Sequence, residues 1–519
     1  MVISFSDERL TAKNRKKIIK FTKLSPVGGL RLQERKFLRK FVVSKNNLKR
    51  NPINPARHRR GILLTILTDQ RLGTEPIRRL FVTMTLPVVL QQLLMLLNNV
   101  VDRIWIAHIP DVGQLAFTAS GVCVPIVYMI MALAELTGTG ISSRVGLLLG
   151  QGHHHQAERT LGSMMAFSLL LAMLTVLLVE VFCPELIRLF GGSPQTAAMA
   201  ECYLRISTPG NAACIISSML APFLLVQGYS TEALFVIGSG IVINMILDPI
   251  FIFLFGWGIA GAAWATTVAE VTSAVVAIVM LARVGNLRIR MNLQHIEWRH
   301  IVPCLALGTA PMAMMLAETV QMGVYNQTLY HLAGDWGVGT MALVIMLHDF
   351  LFFPVRGMAY GSQPITSYNL GAGKWQRVWD NVKLLLAFTF VWSMMVCLLM
   401  MILTEPVVRL VVGDGPMLDY AVPMVRLSFV VFFVATVQFS SQCTLQAMNR
   451  PVLTFWIGLS RTLLLLVPFV WLLPRLLTNH ADMGVFLAQP VTDVVVGAVT
   501  VIILSKLLQN YKNIQNNKV

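Results

Sequence analysis

Apolar runs long enough to cross a membrane recur along this chain from residue 80 almost to its C-terminus. Twelve can be marked, at 80–107, 117–149, 161–183, 201–227, 232–256, 259–282, 301–330, 340–370, 381–403, 421–447, 452–474 and 484–507. A hydrocarbon layer about 30 Å thick takes about 20 helical residues, and every run reaches that length. In lipid each backbone N–H and C=O needs a partner within its own segment, so such runs fold as helices. The chain is 55% hydrophobic and 13% charged, with a mean hydropathy of +0.66, whereas a soluble domain carries about 25% charged residues. A soluble enzyme, a disordered protein and a disulfide-knotted secreted module are excluded. The expected fold class is an all-α polytopic membrane protein with twelve transmembrane helices.

The formal net charge of +17 sits in one place. Residues 1–60 hold 18 Lys/Arg against 3 Asp/Glu, whereas the other 459 residues hold 24 against 22. Residues 1–72 therefore read as a basic N-terminal extension, with some amphipathic character over Glu34–Phe41. No apolar segment of signal-peptide type follows the basic stretch. The extension reads as a solvated cytoplasmic tail or as the product of a start assigned too far upstream, although the next methionine after Met1 is Met84, inside the first run. With the N-terminus inside, 33 of the 42 Lys/Arg fall on the inner side and only Arg188, Arg409 and Arg475 in outer loops. Without the tail the balance is still 12 against 3, which places both termini in the cytoplasm. The expected location is the bacterial cytoplasmic (inner) membrane. The seven cysteines include no CxxC pair and read as small buried hydrophobes. His153-His154-His155 has no Cys or carboxylate at ligand spacing and reads as a solvated loop.

The chain also repeats itself. Gly140, Leu149, Gly150 and Gly152 recur 221 residues later as Gly361, Leu370, Gly371 and Gly373. Arg188, Arg205 and Ser207 recur at the same offset as Arg409, Arg426 and Ser428. Pro87 and Asp102 are spaced like Pro311 and Asn326, and Gly261, Ala265 and Glu270 align with Gly484, Ala488 and Asp493. The repeat spans six helices. Six is even, so both copies enter the membrane from the same side, as two six-helix lobes related by a pseudo-twofold axis along the membrane normal. A basic linker at about 283–300 separates an N-lobe, 73–290, from a C-lobe, 291–519, which ends in a short basic tail.

An ionisable residue in mid-span costs about 2.5–3.5 kcal/mol on insertion scales, which makes each one a functional candidate. The candidates are Asp102, Glu135, Asp248, Glu270, Glu318, Asp349, Arg356 and Asp493. Asn98 lies one turn before Asp102, Asn244 one turn before Asp248, and Thr266 one turn before Glu270. Three helices of one lobe thus present oxygen-bearing faces, which suit a hard cation such as sodium, or a proton held on the carboxylates.

The segments 87–102, Asn244-Met-Ile-Leu-Asp248-Pro249 with its aromatic continuation to Phe253, Gly258-Ile-Ala-Gly-Ala-Ala-Trp-Ala-Thr266 and Gly361–Gly373 occur in that order. Together they resemble the multidrug and toxic compound extrusion (MATE) transporters, over about 73–505. The resemblance implies export of organic, often cationic, compounds against sodium or proton inflow. In family members with a first-lobe cation site, that site uses an aspartate of the first span, an Asn and an Asp one turn apart on the fifth, and a threonine of the sixth. The matching positions here are Asp102, Asn244, Asp248 and Thr266. In another branch the coupling acid is a glutamate of the seventh span. Its nearest match is Glu318, seven residues after Pro311 where the family pattern has eight. Arg356 stands where the pattern has an apolar residue, and the N-terminal extension has no counterpart in it.

Glu135 and Arg356 are 221 residues apart, hence at equivalent positions in the two copies. They are expected to pair across the cleft and hold one gate shut. Asn98, Glu135, Glu270, Glu318, Asp349 and Arg356 together are expected to line the substrate pathway or its gate. No G-x-x-x-x-G-K-[ST] loop is present, so ATP does not drive the chain directly. The leading expectation is a secondary antiporter. It is no enzyme and has no cofactor, and it uses Na+ or H+ as coupling ion. It acts as a monomer whose partners are a small organic substrate and membrane lipids, without nucleic acid. Two other readings are a flippase for lipid-linked sugars and a membrane-tethered binding protein that uses the basic tail.

Overall fold

The structure, a computed structural model, describes residues 71–284, 297–477 and 480–516. The basic tail through residue 70 and most of the 283–300 linker lie outside the described residues. The described residues belong to one compact unit, 65–519, and contain helices and no strand.

Six spans make the first lobe: α1 Ile77–Ala107, α2 Gly113–Gly150, α3 His154–Leu189, α4 Ala197–Val226, α5 Ser230–Pro249 and α6 Ile259–Val284. α5 runs on through a π-helical segment, Ile250–Leu254, directly after Asp248 and Pro249. α7, Trp298–Gly371, extends over 74 residues and is interrupted at Gly334 with φ 60° and ψ −148°. Unbroken, it would measure about 110 Å, more than three times the hydrocarbon thickness. The break at Gly334 divides it into two spans, the expected 301–330 and 340–370. α8 is Trp375–Val412, and α9 Pro416–Phe429 meets α10 Phe432–Ala447 at a 43° bend within one span. The next span is α11 Pro451–Leu459, a π-helical segment Ser460–Leu466 and α12 Val467–Leu476. α13, Ala481–Asn516, is the last. Among the described residues ten helices are long and apolar enough to span, and the bent pair makes eleven. Counting α7 as two gives the twelve that the apolar runs predict.

The solvent explains the surface. α3 exposes Leu170, Leu174, Leu177, Leu178 and Val181, and α8 exposes Val391, Met395, Leu398, Leu399 and Ile402. These are the same five positions, 221 residues apart. In water such stripes would drive association, but against acyl chains they need no cover.

We call the face where α1 begins and α2 ends proximal, and the opposite face distal. The lobes meet closely at the proximal face. A Cβ added at Gly150 would collide with the carbonyl oxygen of Tyr368, and one at Gly371 with that of Leu147. Residues 147 and 368 are again 221 apart, so the two contacts are one contact related by the pseudo-twofold. Only glycine permits this approach. The chain then reverses in a short turn, through Gly152 (φ 77°) in one copy and Gly373 (φ 68°) in the other, positive-φ positions that favour glycine. The turn after α7 fastens itself to the start of the chain's membrane part. Lys374 Nζ donates to Gly73 O at 2.6 Å, and Arg377 Nη2 to Glu75 O at 2.7 Å and Leu72 O at 3.1 Å. Asn369 Nδ2 also donates to Leu72 O, at 2.9 Å.

Candidate functional site

The first-lobe residues singled out by spacing come together in the distal half. On α5, Asn244 and Asp248 share a helix face, and Asn244 Nδ2 donates to Asp248 Oδ1 at 3.2 Å. Both are buried, Asp248 completely. Asp102, near the distal end of α1, brings its carboxyl within hydrogen-bonding reach of that of Asp248. Three buried oxygens here have no hydrogen-bond partner: Asn98 Oδ1, Asp102 Oδ1 and Asp248 Oδ2. Thr266 comes from the second turn of α6, and its Oγ1 donates to Ala262 O at 3.1 Å.

A sixth residue completes the group. Tyr203, from the second turn of α4, places its hydroxyl within hydrogen-bonding reach of Thr266 and close to both aspartates. The sequence reading missed it, because an isolated tyrosine in an apolar run carries no spacing signal. It enters only through the packing of α4, the most buried span of the lobe, against α6.

The chemistry of this group is constrained by its charges. Two carboxylates that face each other away from water repel, and their unpaired oxygens lack the hydrogen bonds that offset burial. A shared proton or a cation bound between them removes both penalties, and carboxylate, amide and hydroxyl oxygens are hard ligands. The π-helical segment begins two residues after Asp248, and such segments often mark functional positions. Asp102 forms no ion pair with its exposed neighbour Arg103. Glu270 does not join the aspartates; it lies one turn deeper on α6, within hydrogen-bonding reach of the Cys214 thiol of α4.

A second group lies between the lobes. The expected Glu135–Arg356 pair is not formed. Arg356 Nη2 instead donates to Asp349 Oδ1 at 3.0 Å. The reason is local: Asp349 is seven residues earlier on the same helix, two turns down the same face, and reaches the guanidinium without crossing a gap. Glu135 remains within electrostatic range of Arg356, but its buried Oε2 has no partner. Glu318, expected from the seventh span, is within electrostatic range of Arg356, Asp349 and Arg461. Arg461, in the π-helical segment after α11, donates from Nε to Asp493 Oδ1 at 2.7 Å. The sequence reading missed Arg461 too, although a lone arginine inside the apolar run 452–474 is the same signal that marked Glu135. Two aspartates are thus committed to arginines, which leaves Glu135 and Glu318 as carboxylates outside any ion pair. Among the described residues no group of three His, Cys, Asp or Glu side chains is arranged to hold a metal ion, the triple histidine included.

Comparison with known proteins follows this geometry. A family model described as MatE matches residues 87–250 and 311–472, one segment in each lobe. A FAD transporter of Shewanella oneidensis is 25% identical over 439 residues, covering 82% of this chain and 94% of that protein. The multidrug export protein MepA of Staphylococcus aureus is 21% identical over 310 residues, covering 60% of this chain and 68% of that protein. Among solved structures, a MATE protein in its bent conformation superposes with a TM-score of 0.80 at 19% identity, covering 86% of this chain and 98% of the other. An outward-facing multidrug resistance MATE family transporter gives 0.78 at 19% identity, covering 85% and 98%. At that identity the likeness is one of fold.

Proposed function

Because this chain belongs to the MATE family of membrane transporters, which are carriers and not enzymes, we propose that it works as a cation-coupled antiporter exporting small organic compounds from the cytoplasm. In this reading the proximal face is cytoplasmic, as the basic loops require, and the membrane is the bacterial inner membrane. The coupling ion, Na+ or H+, binds from the distal side at Asp102 and Asp248, with Asn244, Thr266 and Tyr203 around it. The observation that carries the reading is the pair of facing carboxylates, each with a buried oxygen that has no partner. An ion there removes their repulsion and changes which packing of the first lobe is favoured. The cargo occupies the cleft between the lobes, where Glu135 and Glu318 attract an organic cation.

The test is flux in proteoliposomes under separately imposed sodium and proton gradients. Asp102→Asn and Asp248→Asn should each abolish coupled efflux while the protein still purifies as a folded monomer. Undiminished gradient-driven efflux in both variants would refute the assignment of the ion site. A second cargo class is supported by the mid-span arginines Arg356 and Arg461 and by the FAD transporter among the relatives. It is a phosphate-bearing flavin nucleotide, which would have to draw those arginines from their aspartates. Competition between a cationic dye and FAD for efflux separates the two. A lipid-linked sugar flippase calls for a strongly basic cleft, and the mixed charges here favour a different cargo.

A further inference from the structure

The two proximal turns are built on one plan but finished differently. In the C-lobe copy, Lys374 and Arg377 are occupied by the carbonyl oxygens of Leu72, Gly73 and Glu75. The equivalent turn of the N-lobe carries His153 and Gln156 at those positions and faces the start of α7. Here a cavity of about 410 Å³ remains, lined by Arg144, His155, Gln156, Arg159, Arg299 and His300. Two of the three guanidinium groups, with His300, share the Glu297 carboxylate. It is already engaged by Arg159 at 3.3 Å, Arg299 at 2.6 Å and His300 at 3.3 Å. The hydrogen bond from Arg299 holds the Glu297 carboxyl below the usual carboxylate range, so it stays an ionised partner of those groups.

Arg144 is the anomaly. It is half-buried and forms no ion pair or hydrogen bond among the described residues. Its counterpart 221 residues on is Ile365, fully buried in the apolar core. One copy thus holds a methyl-bearing side chain where the other holds a guanidinium aimed at a cavity. A half-buried guanidinium without a protein partner is free to take an anion, and the planar fork of arginine suits phosphate oxygens. The first turns of α3 and α7, which carry His155 and Arg299, bring two helix N-terminal dipoles to the wall of the cavity.

We propose that this cavity binds a phosphate group, held by Arg144, Arg159 and Arg299. The ligand joins α2 and α3 of one lobe to the start of α7 of the other, as protein carbonyls join the second copy of the turn. The phosphate comes either from the headgroup of an anionic lipid in the adjoining leaflet or from a soluble phosphate.

The full chain, purified in an uncharged detergent, is titrated with inorganic phosphate against chloride at matched ionic strength. In parallel it is placed in phosphatidylcholine nanodiscs with and without phosphatidylglycerol. Binding is read from tryptophan fluorescence, because Trp298 adjoins Arg299, and from the melting temperature. Arg144→Gln should weaken binding roughly tenfold or more, the loss of one charge-assisted contact. Arg299→Gln, at an exposed side chain that folding tolerates, should weaken it as well, and Arg188→Gln on the distal face should leave it unchanged. Saturable stabilisation by inorganic phosphate that Arg144→Gln removes supports a soluble ligand. Stabilisation by phosphatidylglycerol alone, removed by the same variant, supports a lipid headgroup. No saturable effect of either on the unaltered chain overturns the proposal, as does an equal effect in Arg144→Gln and Arg188→Gln.

Discussion

At the scale of single residues, the membrane interior separates charges that have partners from charges that do not. Arg461 and Asp493 are a matched pair, with side chains 19% and 5% exposed. Removing one partner of such a pair strands the other, at about 3–5 kcal/mol, whereas replacing both by apolar side chains is close to neutral. Arg461→Met should therefore lower the melting temperature of the detergent-solubilised protein sharply, and Arg461→Met/Asp493→Leu should recover most of the loss. Equal melting of the single and double variants would show that the pair has no structural weight. The aspartates of the first lobe were legible in the sequence because i, i+4 spacing places polar groups on one helix face whatever the tertiary fold. Tyr203 was not, since its role comes from which helix packs against which. The partner of Arg356 was misread for the opposite reason: repeat symmetry pointed to Glu135 across the cleft, but two helical turns along its own face already supplied Asp349.

At the scale of helices, span number and approximate limits followed from the length of the apolar runs, because lipid forces each run to satisfy its own backbone. What did not follow were local departures from α-geometry. The π-helical segments at Ile250–Leu254 and Ser460–Leu466 and the 43° bend between α9 and α10 leave no mark in hydropathy. The glycines at the lobe junction did leave one, as the recurring Gly150 and Gly371, but only the structure shows what they permit. Gly150→Val should hold α2 and α7 apart at their proximal ends. In a background without the native cysteines, Ser367→Cys, fully buried here, should then react with an impermeant maleimide from the proximal side at least about tenfold faster, reflecting loss of roughly 1.4 kcal/mol or more of closure. Unchanged reactivity would mean that the junction does not need this contact.

At the scale of the whole molecule, the proposed ion coupling makes the charge that crosses the membrane decide what drives export. One elementary charge moving down 100 mV supplies about 2.3 kcal/mol; at about 1.4 kcal/mol per tenfold that sustains a neutral-solute gradient of roughly 40-fold. A monovalent cationic cargo exchanged one-for-one with the ion moves no net charge. A potassium–valinomycin potential should therefore raise accumulation of a neutral cargo and leave that of a monovalent cation unchanged. A cationic cargo that responds to voltage as strongly as a neutral one would rule out one-for-one exchange.

Duplication has not preserved the paired acids. The C-lobe positions that correspond to Asp102, Asn244, Asp248 and Thr266 are Asn326, Val467, Trp471 and Gln489, and the one acid retained in α13, Asp493, carries Arg461 as a built-in counter-ion. Asp493 aligns with Glu270 and not with the facing aspartates, so the C-lobe holds a fixed charge pair where the N-lobe holds an acid outside any ion pair. With facing acids in one lobe alone, the proposed ion site has no symmetry mate, and on that proposal the carrier is a one-cylinder engine with a single seat for its ion.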